Sequence, residues 1–469
     1  MKSVRSWRLE PSICSVSLYS TQTQTTSAPR LFKRLQRCNQ ERASVLPVLD
    51  EWVAQGRRMH RPELERFIKS FRTNNRIKPA LEVCANHVYY PFAPSIAEWM
   101  TRSLEHFTLN PAHVAIQLDL ISKVRGVEQA EHFFNGLEDG LKDPRVYSAL
   151  LNCYADAKSL EKAEATMEKI RELNYRSNLS YNTMMSLYSK MGMHDKVDLM
   201  MQEMESEGID FSIVTYNIRL NIYADHSDLE GMEKLLMKME ADPLVSDKFC
   251  SYCIAAKGYI KAGALEKALA IVKKAELLIK GRERRFAYGP LMGLYGTMQK
   301  REEVYRVWNL LRKCGKLQYG SYAYVIPTLE KLDDLDGAKK ILEEWEEENA
   351  GGSDIRVPNL VIGAYCRKGD VGEADVILKR VTEGGRKPCS KTWSHMALGY
   401  LKNGRMEEAV EMTKKASMAA VSGWKPDHAT VAACVEHLKK KGEGKEAQEL
   451  LVLLEKHAIS WDLSENMKI

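Results

Sequence analysis

Apolar positions along this chain follow the spacing of helices that bury one face. Residues 180–188 carry apolar side chains three and four positions apart, at Tyr181, Met184, Met185 and Tyr188. A second stripe follows at once, at Val197, Met200, Met201 and Met204. Glycine stands between the two stripes and again after the second, where a left-handed residue would end a helix, at Gly192 and Gly208. The pattern therefore predicts two helices joined by a short turn.

This two-helix pattern repeats along most of the chain. A small or medium-sized residue recurs in the second helix at steps of 33 to 38 residues, at Ala130, Ala163, Val197, Met232, Ala268, Val304, Ala338, Ala374, Ala409 and Ala447. An aromatic residue marks the first helix sixteen positions upstream, at Tyr147, Tyr181, Tyr216, Tyr252, Tyr288, Tyr322 and Trp393. Such a period marks a unit that buries its apolar face only by stacking on its neighbours. We therefore expect an all-α solenoid.

Both recurring positions together fix where the repeats begin. The predicted starts are Arg61, Pro111, Pro144, Asn178, Ile213, Phe249, Arg285, Tyr319, Ile355, Ser390 and His428. The first unit would be 50 residues long, because residues 84–97 interrupt it with two prolines that cannot sit inside a helix. We interpret 84–97 as an insertion into a solenoid of residues 61–460, either a surface loop or translated sequence that another transcript would lack. A cap helix around 43–55 is expected within residues 31–60, and 461–469 form a C-terminal tail.

The first 40 residues differ in composition from the rest. They hold seven basic side chains against one acid, Glu10, and are dense in serine and threonine. This composition is typical of an organellar transit peptide, which we assign to residues 1–30, although a merely disordered basic tail would look the same. Tyr19-Ser20 resembles a mitochondrial trimming site and favours the mitochondrion, with the chloroplast as the alternative. No apolar run approaches the twenty residues that a membrane helix needs.

Motifs for catalysis are missing from the sequence. None of the eleven histidines is followed two residues later by the glutamate that zinc deaminases require. Phosphate-binding loops, nucleophile elbows and paired-histidine zinc motifs are also absent. Cys250 and Cys253 form a CxxC pair without a second pair or a nearby histidine, so buried reduced thiols are expected. We therefore predict a protein that is not an enzyme and holds no metal or cofactor.

Three segments carry a family resemblance. Val214–Asn217 at the head of one repeat, Tyr259–Ala268 in the middle of the next and Trp424–Asp427 at the end of another resemble the pentatricopeptide pattern. Repeat lengths near 35, without regular long and short variants, resemble the plain (P-type) class of plant organellar proteins. The resemblance covers roughly residues 61–460. It implies a right-handed superhelical solenoid of about eleven helix-turn-helix repeats that binds single-stranded organellar RNA.

The resemblance also implies base-reading residues. In that family the residue after the aromatic position, which we call the code slot, acts with the last residue of the repeat to choose one base. The implied pairs are Asn217 with Asp247 for uracil, Asn182 with Ser212 for a pyrimidine, Ser394 with Asp427 for a purine, and Asn359 with Cys389, which departs from the pattern. Most of the remaining code slots cannot complete such contacts; these slots hold Glu65, Ala115, Ser148, Cys253, Gly289, Ala323 and Ala432. Each asparagine could instead cap a helix.

A cation recurs at the thirteenth position of seven repeats, at Lys123, Lys190, Lys261, Lys331, Arg367, Lys402 and Lys440. Stacking would align these charges into a stripe suited to RNA phosphates. Cations also favour the negative end of a helix dipole, so the recurrence has two explanations. The net charge of only +6 does not decide between them.

Two functions are consistent with these patterns. The first is a mitochondrial RNA-binding protein that acts in organellar RNA stability, processing or translation without catalysis. The second is a structural component of an organellar ribonucleoprotein, such as the mitochondrial ribosome, whose solenoid holds protein or structured RNA.

Overall fold

A computed structural model describes residues 110–280, 284–420 and 424–455, together with residues 34, 48, 51, 52, 54 and 55. The expectations for the transit peptide, the first repeat with its insertion at 84–97, and the tail at 461–469 lie outside the described residues. In the region of the expected cap helix, Glu51, Trp52 and Ala54 are helical, and Trp52 is buried.

The described residues fold into α-helices and contain no strand. Contacts divide the chain into two units, residues 1–209 and 210–469. The helices of the first unit are α1 (Pro111–Arg125), α2 (Val127–Asn135), α3 (Pro144–Asp156), α4 (Leu160–Glu172), α5 (Asn178–Lys190) and α6 (His194–Ser206), with a short 3-10 helix at Asp139–Leu141. The helices of the second unit are α7 (Ile213–His226), α8 (Leu229–Ala241), α9 (Phe249–Lys261), α10 (Leu265–Leu277), α11 (Arg284–Thr297), α12 (Arg301–Arg312), α13 (Tyr319–Lys331), α14 (Leu335–Glu348), α15 (Arg356–Lys368), α16 (Val371–Glu383), α17 (Ser390–Lys402), α18 (Met406–Met418), α19 (His428–Lys440) and α20 (Gly444–Glu455).

These helices pair into ten hairpins within the described residues. The odd-numbered helix of each hairpin, called here the first helix, begins at or within one residue of a predicted repeat start. The even-numbered helix, called the second helix, runs back against it. The prediction of an all-α fold built from helix-turn-helix repeats is confirmed.

The turn inside nine of the ten hairpins, all but α1–α2, has the same geometry. Met193 N–H donates to the carbonyl of Tyr188 at 2.9 Å, and Ala264 N–H donates to that of Tyr259 at 2.9 Å. The glycines before these donors, Gly192 and Gly263, have φ of 75° and 79°. A left-handed residue followed by a bond back to the carbonyl five residues earlier is the Schellman motif, which satisfies the end of one helix as the chain reverses.

The recurring positions form the core. The ten small or medium residues of the second helices are at most 2% exposed. Tyr181 and Tyr216 are equally buried, but their hydroxyls find acceptors: Tyr181 donates to Glu203 at 2.7 Å and Tyr216 donates to Asp242 at 3.0 Å. Burial and this hydrogen bond raise the pKa of Tyr181 to about 12. A buried phenol needs such a partner, which explains how tyrosine is accommodated in the core.

Consecutive first helices pack along one another within each unit. They therefore form one layer of the unit, and the second helices form the other. Among the described residues, no helix combines the length and apolarity needed to span a bilayer.

Candidate nucleic-acid interface

The two layers carry opposite charge. Within their bounds the first helices hold 17 lysines and arginines against 5 acidic residues, whereas the second helices hold 19 against 32. The basic excess lies mainly in the second unit, whose first helices hold 13 basic and 3 acidic side chains. The small net charge of the chain therefore combines a basic layer with an acidic layer. A polyanion would favour the first-helix layer.

More than half of the lysines and arginines of the second helices pair with an acid of a neighbouring repeat. In the first unit Lys196 pairs with Glu164 at 2.6 Å, and Tyr188 donates to the same carboxylate at 2.9 Å. In the second unit Lys267 pairs with Glu233 at 2.7 Å, and Tyr259 donates to it at 3.2 Å. The hydrogen bond from each lysine lowers the pKa of Glu164 and of Glu233. These lysines therefore serve stacking, although each exposed pair contributes little alone.

The seven predicted cations lie near the ends of first helices. Lys261 donates to the carbonyl of Asp225 and Lys402 to that of Arg367, both on the preceding first helix. Arg367 itself donates twice to Glu330, each time at 2.7 Å. Lys123 and Lys440 each pair with an acid of their own helix. Lys190 and Lys331 lie exposed at the ends of α5 and α13. Three of the seven therefore link consecutive repeats, as helix-end cations can.

Several exposed lysines on first helices were not singled out from the sequence, among them Lys257 and Lys391. Lys257 lies in α9 and Lys391 in α17. Neither forms an ion pair within the part of the chain that the structure describes. They do not occupy a recurring repeat position, so periodicity gave no signal for them. Counting charge by helix, once the helix bounds are known, does reveal them.

Asn217 is the most accessible of the predicted base-reading asparagines. It is half-buried in α7, and its Oδ1 accepts a hydrogen bond from Ser251 Oγ of α9 at 2.6 Å. In the described residues its Nδ2 has no partner. Since Ser251 is fully buried, its bond holds the oxygen end of the amide against the protein. The partner residue Asp247 is exposed in the preceding loop and accepts from Phe249 N–H at 3.3 Å.

Asn359 has the same slot but a closed environment. It is 3% exposed, and its Oδ1 accepts from Thr392 Oγ1 at 2.8 Å. Its Nδ2 donates to Cys389 Sγ at 3.4 Å. Cys389 caps the start of α17. Burial raises the pKa of this thiol, but hydrogen bonds from Thr392, from the Lys391 N–H and from Asn359 outweigh burial and lower the pKa overall.

The other predicted base readers are engaged locally. Asn182 is 7% exposed, and its Nδ2 donates to Asn178 Oδ1. Ser394 Oγ donates to the carbonyl of Ser390 at 2.9 Å. Ser212 and Asp427 are N-caps, of α7 and α19. The N-cap role that the sequence left open for each asparagine is not the one observed: Ser177, Ser212 and Ile355 stand at the N-caps of α5, α7 and α15.

The described residues do not gather three or more potential metal ligands at one place. Cys253 is buried in the first helix α9, and burial raises its pKa to about 12. Cys250 of the CxxC pair is exposed.

These features define a helical repeat protein with a basic layer. The PPR repeat model matches residues 145–175, 214–243, 357–385 and 391–416, and the PPR repeat family model matches 176–225. A mitochondrial pentatricopeptide repeat-containing protein of Arabidopsis thaliana is 38% identical over 436 residues, 92% of this chain and 86% of that protein. A second mitochondrial one is 29% identical over 446 residues, 94% of this chain and 87% of that protein. The chain belongs to the pentatricopeptide repeat family.

A solved structure supports the fold independently. The crystal structure of the pentatricopeptide repeat protein PPR10 from maize superposes with a TM-score of 0.54 at 15% identity. The superposition covers 88% of this chain and 61% of that chain. At this identity the likeness concerns the fold alone.

Proposed function

We propose that this protein binds single-stranded RNA along the first-helix layer and acts, without catalysis, in the stability, processing or translation of organellar transcripts. The observation that carries the proposal is the charge difference between the layers, basic on the first helices and acidic on the second. Phosphate contacts supply most of the affinity of non-specific RNA binding, so the basic layer is the side on which RNA is favoured. The Nδ2 of Asn217, which has no partner in the described residues, adds one group that can donate to a base edge.

The mitochondrion is the proposed location. The basic, acid-poor leader supports it, as do the mitochondrial names of both Arabidopsis relatives. The chloroplast is the alternative. Sequencing the N-terminus of the protein from purified organelles tests this proposal, with a mature start expected between about Leu18 and Arg30. Intact protein in the cytosol, beginning at Met1, would refute it.

A matched pair of variants tests the RNA-binding layer. Lys261 and Lys402 are poor choices because they bind neighbouring carbonyls. The first variant changes three exposed lysines of first helices to glutamine, at Lys190, Lys257 and Lys391. The control changes three exposed lysines of second helices, at Lys169, Lys234 and Lys273. Both lose the same charge from the same units.

The first variant should bind single-stranded RNA more weakly whatever its sequence, and the slope of log affinity against log salt should flatten by up to about 2, roughly 0.7 per lost phosphate contact. The control should match the wild type in affinity and slope. Fluorescence anisotropy from low to high salt measures both. Equal binding by all three proteins would refute the first-helix layer as the interface.

A second function is supported by the sparse code slots and by the cations that link repeats. In this alternative the protein is a structural component of an organellar ribonucleoprotein such as the mitochondrial ribosome. Cofractionation with ribosomal particles before and after RNase treatment separates the two. Retention after RNase favours the scaffold, and release favours direct binding of single-stranded RNA.

A further inference from the structure

Two exposed aromatic side chains lie on neighbouring first helices of the second unit. Phe286 of α11 is 67% exposed and Tyr324 of α13 is 40% exposed. They are the most exposed aromatic residues in the part of the chain that the structure describes. The phenol of Tyr324 has no hydrogen-bond partner there, whereas most core tyrosines donate to carboxylates, as Tyr181 and Tyr252 do. Core packing therefore does not account for the exposed part of the Tyr324 ring.

The ring of Tyr324 lies on the backbone of α11 at a code slot. A β-carbon at Gly289 would lie 2.4 Å from Cδ2 and 2.6 Å from Cε2 of the tyrosine, so the ring takes the place of the missing side chain. One helical turn further, a β-carbon at Gly293 would meet nothing within 4 Å. The surface of α11 at Gly293 is therefore uncovered, and it lies one turn from the ring of Tyr324.

The code slots of these two repeats cannot recognise the edge of a base by hydrogen bonds. They hold Gly289, which has no side chain, and Ala323, whose methyl group does not hydrogen-bond. An aromatic face can still hold a base, because every base has a π-face and stacking tolerates any sequence. The basic charge of the surrounding first helices favours a ligand that is itself a polyanion.

We propose that Tyr324 stacks a nucleobase of single-stranded RNA in the open space beside Gly293, and that this position holds a nucleotide regardless of which base it carries. The proposal rests on the proposed RNA-binding function. It divides the second unit into a base-selecting position at Asn217 and a base-tolerant position at Tyr324.

The test measures binding of full-length protein to labelled single-stranded oligouridine, oligocytidine and oligoadenine RNA. Tyr324→Leu removes the aromatic face but keeps an apolar side chain, and Tyr324→Phe keeps the face. The leucine variant should lose about fivefold to a hundredfold in affinity for all three RNAs, whereas the phenylalanine variant should stay within about twofold of the wild type. The salt dependence should be unchanged, because no phosphate contact is lost.

A second variant and a crosslink keep the test independent of folding. Gly289→Ala should displace the ring and weaken binding of all three RNAs. RNA containing 5-iodouridine should crosslink to the peptide that carries Tyr324 in the wild type. Wild-type protein that binds no RNA would refute the proposed function itself. Wild-type binding with an unaffected leucine variant and no crosslink at Tyr324, or a loss confined to one base, would overturn the stacking proposal alone.

Discussion

Two repeats of the second unit carry asparagine at the same code slot, but they hold it differently. Asn217 is half-buried, with its oxygen bonded to Ser251 and its nitrogen free in the described residues. Asn359 is 3% exposed, with its oxygen bonded to Thr392 and its nitrogen to Cys389. The Asn217 amide can contact a ligand through its nitrogen without losing a hydrogen bond to the protein. The Asn359 amide would first have to break its two hydrogen bonds.

The difference originates in the residue that closes each repeat. Asp247 is exposed in the loop before α9 and bonds only to the start of that helix, so it does not cover Asn217. Cys389 instead lies against Asn359, and its backbone N–H donates to Thr392 Oγ1 at 3.0 Å. The hydroxyl from the next repeat is present in both cases. The closing residue therefore decides whether the amide is open to solvent or belongs to the packing.

The largest expected effect is on stability at the closed site. Asn359→Ala removes the acceptor of a buried hydroxyl, so it should lower the free energy of unfolding by about 2 kcal/mol. Asn217→Ala also removes the acceptor of a buried hydroxyl, that of Ser251, but it should lower the free energy of unfolding by less, because Asn217 is half-buried and lacks the second bond that Asn359 makes to Cys389. Urea unfolding followed by circular dichroism compares the two. Equal losses would mean that the two amides are equally structural.

The sequence predicted that the two asparagines occupy equivalent positions, but not which groups contact each of them. Periodicity placed both asparagines in equivalent slots, and the buried second-helix residues such as Ala268 and Ala374 confirm that register. Which groups touch each amide depends on the side chains that the next repeat directs at it. Spacing alone cannot show that Cys389 turns towards Asn359. For the same reason the cation spacing could not show that Lys261 bonds to a carbonyl of the preceding helix.

A smaller effect is expected on RNA affinity at the open site. Asn217→Ala should weaken binding by about 1.4 kcal/mol, or tenfold, and only for RNA that carries the preferred base at that register. The matching change Asn359→Ala should leave the preference at its register unaltered in protein that remains folded. Binding to RNAs that differ at a single position measures both. A uniform loss across all RNAs would contradict base readout by Asn217.

Ser251 provides a finer test, because it orients the open amide without itself facing solvent. Ser251→Ala should let the Asn217 amide rotate and present either end, which costs one hydrogen bond, about 0.5–1 kcal/mol in affinity for the preferred base. Discrimination between bases should fall more than average affinity. Thr392→Val is the control at the closed site and should affect stability but not base preference. Unchanged discrimination in Ser251→Ala would show that the amide needs no positioning.

The smallest expected effect is a pH dependence at the closed site. The pKa of Cys389 is lowered in the folded protein, so its extra stability is present above the unfolded thiol pKa, about 8.5, and is lost as pH falls through the folded pKa. The stability lost in Cys389→Ser should therefore grow between pH 7 and pH 9.5.

Cys253 provides the opposite sign, because burial raises its pKa to about 12 and its contribution is lost as pH rises. The penalty of Cys253→Ser should shrink over the same range. Urea unfolding of both variants and the wild type at the two pH values measures these trends. Parallel trends in the two variants would mean that Asn359 and Thr392 do not stabilise a thiolate, and the closed site would then hold its amide through neutral contacts only.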